Sequence, residues 1–138
     1  MILEITKEDI EAIFRSFESK DIEQIMTHFD DDAVLIDPHY PISEMKGKKM
    51  IIRGLTWGLK PLITASFTTK KLWVNGNEGA IKVKTNHVFK GGNKLDITQV
   101  FLFAFNIEKK ITYLQSFVPY RPHGLSGLIP RITGLFWK

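Results

Sequence analysis

The sequence predicts an α+β domain in which helices precede a long run of antiparallel strands. Two observations carry this prediction. Apolar residues recur at helical spacing through the first part of the chain, and the period changes to two from Thr64 onward. The length of 138 residues suffices for about one domain with a single core. Neither an internal repeat nor a low-complexity linker divides the chain, so residues 1–138 are expected to form one domain.

Two short helices are predicted first. Thr6 and Asp9 have the spacing of a capping box, and Asp21 is suited to cap the second helix. The triplet Asp30-Asp31-Asp32 ends the helical pattern and is expected to be a solvated turn, because it lacks the glycine and the glutamate of a calcium loop. Apolar side chains form one stripe on each helix: Ile10, Ile13, Phe14 and Phe17, then Ile22, Ile25, Met26 and Phe29.

A strand and a third helix follow. The run from Ala33 to Ile36 is strand-like, and the stretch from Gly47 to Leu62 carries an apolar stripe of helical spacing, which Pro61 limits. Four further segments are rich in β-branched and aromatic residues and are separated by turn-like sequences, so they are expected to form an antiparallel meander. They run from Phe67 to Val74, from Ala80 to Phe89, from Leu95 to Ile107 and from Ile111 to Val118.

Composition excludes several classes of protein. Cysteine is absent, which excludes disulfides, thiolate metal sites and cysteine nucleophiles, and the cytoplasm is the expected location. The sequence has neither the features of a signal peptide nor an apolar run of membrane-crossing length, so no transmembrane segment is predicted. The net charge is +4, but the lysines are dispersed and cluster only at 46–49 and 70–71. A nucleic acid is therefore not an expected partner.

The order of these elements resembles the nuclear transport factor 2-like superfamily, and more narrowly its SnoaL-like polyketide cyclase and ketosteroid isomerase branch. The resemblance covers about Lys7 to Tyr120, and three segments carry it: Phe29 to His39 with its aspartate-proline step, the glycine-led helix start from Lys46 to Ile51, and the last hairpin, Phe105 to Ile111. It implies a cystatin-like α+β roll, in which a cone-shaped curled antiparallel sheet wraps around the N-terminal helices and encloses an apolar pocket, often in homodimers. Members differ widely in function, so the reaction has to be argued from side chains.

The segment Asp37-Pro38-His39-Tyr40-Pro41 places a carboxylate, an imidazole and a phenol between two prolines. Because the prolines stiffen the backbone, these three side chains are expected to be ligand contacts at a pocket rim, unless the segment is a plain turn. Asp37 either binds a ligand or accepts hydrogen bonds from backbone amides in an Asx-type turn. Trp57, midway along the third helix, either lines the pocket or fills the core.

The first candidates for chemistry lie on the hairpin around Gly91-Gly92. A two-residue turn there sets His87 directly opposite Asp96, on the face that also carries Ile81 and Val83. The pair is then a general base with its orienting partner, in which either His87 or Asp96 takes the proton, or else it is a satisfied structural pair.

The last hairpin extends this prediction. Its register sets Tyr113, Gln115 and Phe117 on the His87 face, where Tyr113 is a candidate donor to a developing oxyanion and the other two are candidate ligand contacts. A shift of one residue in the register would exchange the two faces of the sheet. In the predicted register, the face opposite His87 carries three phenylalanines, which form either a second core layer or a dimer surface: Phe101, Phe103 and Phe105.

Neither a metal nor a cofactor is expected. The histidines lack helical pairing, and Asp37, His39 and His87 would form a metal-binding set only by chance of folding. The C-terminal segment, 121–138, carries an apolar stripe that glycines and a proline interrupt. This tail is expected to pack over the sheet or the pocket mouth of its own dimer, and contact with a membrane surface is the alternative.

These features predict a protein that binds a small, mostly apolar molecule in a conical pocket and forms a homodimer. Its activity would be cofactor-free proton-transfer isomerisation or cyclisation, with His87 or Asp96 as the base and Tyr113 or Tyr40 as the donor to the oxyanion. One alternative is a non-catalytic ligand carrier or sensor. The other is an interaction module that binds a protein through the outer face of the sheet.

Overall fold

The computed structural model describes residues 4–120 and residue 135. Within these residues, three helices span Lys7–Ser19 (α1), Ile22–Met26 (α2) and Gly47–Leu59 (α3). The α+β class is confirmed, and the predicted C-terminal tail lies outside the described residues except for residue 135. The strands span Phe29–Ile36 (β1), Glu44–Lys46 (β2), Leu62–Thr64 (β3), Phe67–Asn75 (β4), Glu78–Phe89 (β5), Lys94–Phe105 (β6) and Ile111–Phe117 (β7).

The first two helices begin at the predicted caps. The Thr6 hydroxyl accepts a hydrogen bond from the Asp9 N–H at 3.1 Å, and the Asp9 carboxylate accepts one from the Thr6 N–H at 2.9 Å. The Asp21 carboxylate accepts one from the Gln24 N–H at 3.3 Å. These bonds satisfy donors that the first turn of a helix leaves unpaired. None of the helices in this part of the chain is long and apolar enough to cross a membrane.

The structure corrects two predictions about these elements and adds two short strands. The triplet Asp30-Asp31-Asp32 is not a turn but lies within β1, which pairs in parallel with β7 and has an irregular register between Phe29 and Val34. Helix α3 ends at Leu59, because Leu62 begins β3 and pairs with β5. The sequence does not predict strands β2 and β3, because three residues are too few to show the alternation of apolar and polar side chains.

The strands form one seven-stranded sheet in the order β2-β1-β7-β6-β5-β3, and β4 also pairs with β5. β1 and β7 are parallel, whereas the other pairs are antiparallel. The sheet is curled but not closed, and the N-terminal helices pack against its inner face, as the predicted roll requires. This curvature leaves space between the sheet and the helices.

The β5–β6 hairpin differs from the predicted register by one residue. Its loop has three residues, Lys90-Gly91-Gly92, and the Phe89 N–H closes it by donating to the Asn93 carbonyl at 2.8 Å. Both glycines have positive φ angles, 94° and 91°, which glycine adopts without steric cost. The observed cross-strand pairs are His87 with Leu95 and Asn86 with Asp96.

This shift exchanges the two faces of β6. Phe101, Phe103 and Phe105 point inward, on the face that His87 also occupies, and are only 7%, 4% and 2% exposed, so the prediction that they lie on the opposite face is wrong. Phe14 of α1 packs edge-on against Phe101, with the ring centroids 5.5 Å apart. An interaction module that uses these phenylalanines is therefore excluded.

The outer face receives four of the predicted site residues. Asp96 lies there beside Lys84, with Oδ1 2.6 Å from Nζ. The predicted register between β6 and β7 is confirmed. Because the faces of β6 are exchanged, the side chains of β7 that pair with them are exchanged too, and Tyr113, Gln115 and Phe117 lie on the outer face with Asp96. The Tyr113 hydroxyl donates to the Gln115 side chain there. The predicted imidazole–carboxylate pair and the inward placement of the β7 side chains are therefore wrong.

Candidate functional site

A cavity of about 290 Å³ lies between the inner face of the sheet and the helices. This volume is at the lower end of the range of small-molecule sites, roughly 300–1,000 Å³. Most of the lining is apolar, and within the described residues no lysine or arginine belongs to it. The polar side chains that line the cavity are Asp37, His39, Tyr40, Thr85, His87 and Gln99.

The loop after β1 brings Asp37, His39 and Tyr40 to this cavity. The loop is closed by the Asp37 N–H, which donates to the Ser43 carbonyl at 2.9 Å, and by the Tyr40 N–H, which donates to the Asp37 carbonyl at 3.2 Å. The His39 N–H donates to Oδ1 of Asp37 at 2.9 Å. This is the Asx-type turn that the sequence allowed, and it holds the three side chains on one stiff segment.

Asp37 and His39 form an imidazole–carboxylate pair. Nδ1 of His39 lies 2.9 Å from Oδ1 of Asp37. Because an ionised carboxylate can only accept, Nδ1 carries the proton and Nε2 keeps its lone pair. The Tyr120 hydroxyl donates to Nε2 at 3.2 Å. The exposed fraction of the side chain is 13% for Asp37 and 29% for His39, so water screens this pair less than it screens a pair on the surface.

His87 lines the same cavity from β5 and has the opposite hydrogen-bonding role. The Ser66 N–H donates to its Nδ1 at 3.2 Å, so the neutral ring carries its proton on Nε2. Burial lowers the pKa of His87, and a hydrogen bond with the Asn86 backbone opposes this decrease. His87 is therefore suited to donate to a ligand rather than to act as a base.

Tyr40 fits into a groove of α3. Gly58 leaves the space for it, because a Cβ added there would lie 2.6 Å from Cε1 of Tyr40. Burial raises the pKa of Tyr40 and the charge of Asp37 raises it further, so the phenol keeps its proton and can donate. The neighbouring Trp57, whose ring centroid is 6.1 Å away, is 56% exposed. Trp57 therefore lines the cavity at its rim and does not fill the core.

Sequence reasoning misses a buried polar row, formed by Thr85, Gln99 and Ser116 on the inner faces of β5, β6 and β7. The Thr85 hydroxyl donates to Oε1 of Gln99 at 2.6 Å, and Nε2 of Gln99 donates to Oγ of Ser116 at 3.1 Å. The three residues are 1%, 3% and 3% exposed. The signal for this row is Gln99 itself, an amide within an apolar run, but only the correct register reveals that it points inward.

The cavity thus combines one base with two neutral donors in apolar surroundings. Nε2 of His39 can accept a proton, and the Tyr40 hydroxyl and Nε2–H of His87 can donate hydrogen bonds. Within residues 4–120 and 135, no three histidine, cysteine, aspartate or glutamate side chains converge so as to hold a metal ion. Such an arrangement can move a proton and stabilise a developing oxyanion.

Comparison with solved structures places this geometry in a known fold. The chain is similar to a protein with a ketosteroid isomerase-like fold from Catenulispora acidiphila in complex with trimethylamine, with 18% identity and a TM-score of 0.71 over 89% of this chain and 90% of that one. It is similar to RV0760c from Mycobacterium tuberculosis in complex with estradiol-17β-hemisuccinate, with 18% identity and a TM-score of 0.69 over 87% and 94% of the two chains. It is also similar to SalBIII, an epoxide hydrolase/cyclase-like enzyme in pyran ring formation in the polyether salinomycin, with 17% identity and a TM-score of 0.70 over 88% and 92%. Likeness at these identities establishes the fold.

Sequence comparison gives the family. No curated protein sequence matches the chain. The sequence profile of the SnoaL-like domain matches residues 10–114, which is more than half of the 138 residues. The matched region contains α1 from residue 10 onward, the other two helices, the loop after β1 and the β5–β6 hairpin. The resemblance inferred from the sequence is thereby confirmed, and the chain belongs to the SnoaL-like domain family.

Proposed function

We propose that the protein binds a small, neutral, mostly apolar molecule in its cavity and transfers a proton next to a carbonyl group, which leads to isomerisation or cyclisation without a cofactor. The observation that carries this proposal is the hydrogen bond between Asp37 and His39, because it leaves a lone pair on Nε2 of a histidine that lines an apolar cavity. Proton abstraction requires a base of this kind within reach of the substrate.

His39 is the base in this proposal. Its Nε2 takes a proton from the carbon next to the carbonyl, and the C–H electron pair moves into the resulting enolate. The ionised Asp37 stabilises the imidazolium through Nδ1–H. In an isomerisation, His39 returns the proton to a different carbon; in a cyclisation, the enolate carbon attacks a second carbonyl carbon of the same molecule and the new alkoxide takes the proton. The Tyr120 hydroxyl donates a hydrogen bond to Nε2, so the substrate has to displace this hydroxyl.

Tyr40 and His87 are the donors to the enolate oxygen. Both are neutral, because burial raises the pKa of Tyr40 and lowers that of His87. A donor fixed in an apolar cavity stabilises the developing negative charge more strongly than water does. Removing one donor of this kind typically costs about 10²–10³-fold in rate.

The similar structures support a small-molecule ligand, and the lining of the cavity favours a neutral one. One of those structures holds trimethylamine and another holds estradiol-17β-hemisuccinate, while SalBIII is described as cyclase-like. In this chain the described lining includes the carboxylate of Asp37 but neither lysine nor arginine. An anionic ligand would therefore lose its hydration without gaining an ionic partner there.

We also propose that the protein is a homodimer that associates through the outer face of the sheet. Trp73, Leu102 and Phe117 lie on outer positions of β4, β6 and β7 and are 47%, 40% and 48% exposed. Clusters of exposed apolar side chains mark interaction surfaces. The cytoplasmic location stays a prediction.

Deuterium exchange into 2-tetralone tests the proposed reaction. This bicyclic ketone has acidic C–H groups next to its carbonyl, and NMR in D₂O follows their exchange directly. The purified protein should accelerate exchange and saturate with ketone, whereas free imidazole at the same concentration should not saturate. Saturable binding of 2-tetralone without accelerated exchange would indicate a ligand carrier and would contradict the proposed catalysis.

A further inference from the structure

The buried polar row provides a second polar point in the cavity wall, apart from the loop that carries Asp37 and His39. Gln99 is only 3% exposed and still lines the cavity. Its neighbours on the inner face of β6 include Phe101, so the wall is apolar beside the polar row. An amide in such a place is unfavourable unless it is hydrogen-bonded.

Gln99 has hydrogen-bonding capacity beyond its two protein contacts. A side-chain amide has two N–H donors and two acceptor lone pairs. Thr85 donates to one lone pair, and Ser116 accepts from one N–H, so one donor and one acceptor remain. Both neighbours are hydroxyls, which can donate or accept, and the amide can therefore be reversed without losing either bond. The amide can therefore accept a hydrogen bond from a ligand hydroxyl or donate one to a ligand carbonyl oxygen.

The spacing along β5 relates this amide to the proposed reaction site. Thr85 and His87 are two residues apart on the same face of the strand, a distance of about 7 Å. The Gln99 amide is bonded to Thr85 and therefore lies roughly this far along the wall from the His87 donor.

We propose that Gln99 binds a hydroxyl or carbonyl oxygen of the substrate, on the order of 7 Å from the oxygen that faces His87. The substrate class is then a neutral ketone that carries a second oxygen at about this distance from its carbonyl oxygen. This inference rests on the proposed function and specifies the substrate of the same cavity.

Two probes that differ by one hydroxyl test the assignment. They are 2-tetralone and 6-hydroxy-2-tetralone, and isothermal titration calorimetry gives the affinity of the whole chain for each. The wild type should bind the hydroxylated probe about 3- to 10-fold more tightly, as one additional hydrogen bond predicts. Gln99→Met should abolish this preference, because the methionine thioether has no N–H to donate and accepts only weakly. Gln115→Met, the same replacement on the outer face, should keep the preference.

Thr85→Val is a second variant that conserves side-chain volume and serves if Gln99→Met does not fold. It should reduce the preference, because the amide loses the hydroxyl that orients it. A wild type without preference, or an unchanged preference in both variants, overturns the assignment. Since the readout is binding alone, the assignment can fail while deuterium exchange persists, and exchange can fail while the preference for the hydroxylated probe persists.

Discussion

Oδ1 of Asp37 accepts two hydrogen bonds from His39, one from the backbone N–H and one from Nδ1, both at 2.9 Å. The first bond fixes the turn and the second fixes the tautomer of the ring. One oxygen atom therefore both positions the imidazole and keeps the lone pair on Nε2, which accepts a hydrogen bond from Tyr120. This pair replaces His87 and Asp96 as the candidate base and its orienting partner.

Replacing Asp96 should have little effect. Its ion pair with Lys84 lies on the outer face, where the two side chains are 63% and 37% exposed, so Asp96→Asn should lower the free energy of unfolding by less than about 1 kcal/mol. Exchange into 2-tetralone should be unchanged. Urea unfolding and the exchange assay measure the two quantities, and a loss of exchange of roughly tenfold or more would return Asp96 to the catalytic role.

The free energy of unfolding should fall as the pH drops below about 6.5, the ordinary pKa of histidine. Burial lowers the pKa of His87 in the folded chain, so the unfolded chain takes up this proton first. The contribution of His87 is therefore complete above that pH and is lost as the pH falls towards the lowered pKa.

Urea unfolding between about pH 7.5 and pH 5.5 measures this slope. His87→Gln should make it shallower. Burial also lowers the pKa of His28, which is still present in the variant and accounts for a residual slope. A slope that is identical in the two proteins would contradict the burial of His87.

Gly58→Ala should destabilise the protein and slow the reaction. In an open helix this change is favourable by about 1 kcal/mol. Here the new Cβ would lie 2.6 Å from Tyr40, and overpacking of this kind costs about 1–3 kcal/mol. Thr56→Ala, at an exposed position of α3, is the control and should neither destabilise the protein nor slow the reaction. A Gly58→Ala variant that is more stable and equally active would refute the packing of Tyr40 in this groove.

Phe117→Lys should dissociate the proposed homodimer, because it buries a charge in an apolar interface. Light scattering after size-exclusion chromatography should report a dimer for the wild type and a monomer for the variant. Ile107→Lys is a matched control, since Ile107 is 88% exposed and lies in the last turn rather than on the outer face of the sheet. A wild type that is monomeric at micromolar concentration would contradict the proposal.

Local signals explain why the sequence predicts the fold well. Thr6 and Asp9 form the capping box that their spacing indicates, and the apolar stripes depend only on near neighbours. The proline-bounded segment from Asp37 to Pro41 likewise brings its polar side chains to the cavity. Each of these features is encoded within a few consecutive residues.

The site depends on information that is not local. Two-residue and three-residue turns are both compatible with Gly91-Gly92, and they differ by the one residue that decides which face of β6 lines the cavity. The polar row around Gln99 can be predicted only when the register of β6 is known. The fit of Tyr40 against Gly58 joins segments that are distant in sequence, so helical periodicity carries no signal for it.

The exchange rate of His39→Ala with and without added imidazole tests the central claim most directly. Removing the base should slow exchange into 2-tetralone by about 10²–10⁴-fold. Added imidazole should restore part of the rate by entering the space beside Asp37, whereas Asp37→Asn should lose activity without being rescued. A His39→Ala variant that keeps the wild-type rate, or that binds 2-tetralone but does not respond to imidazole, would contradict the account.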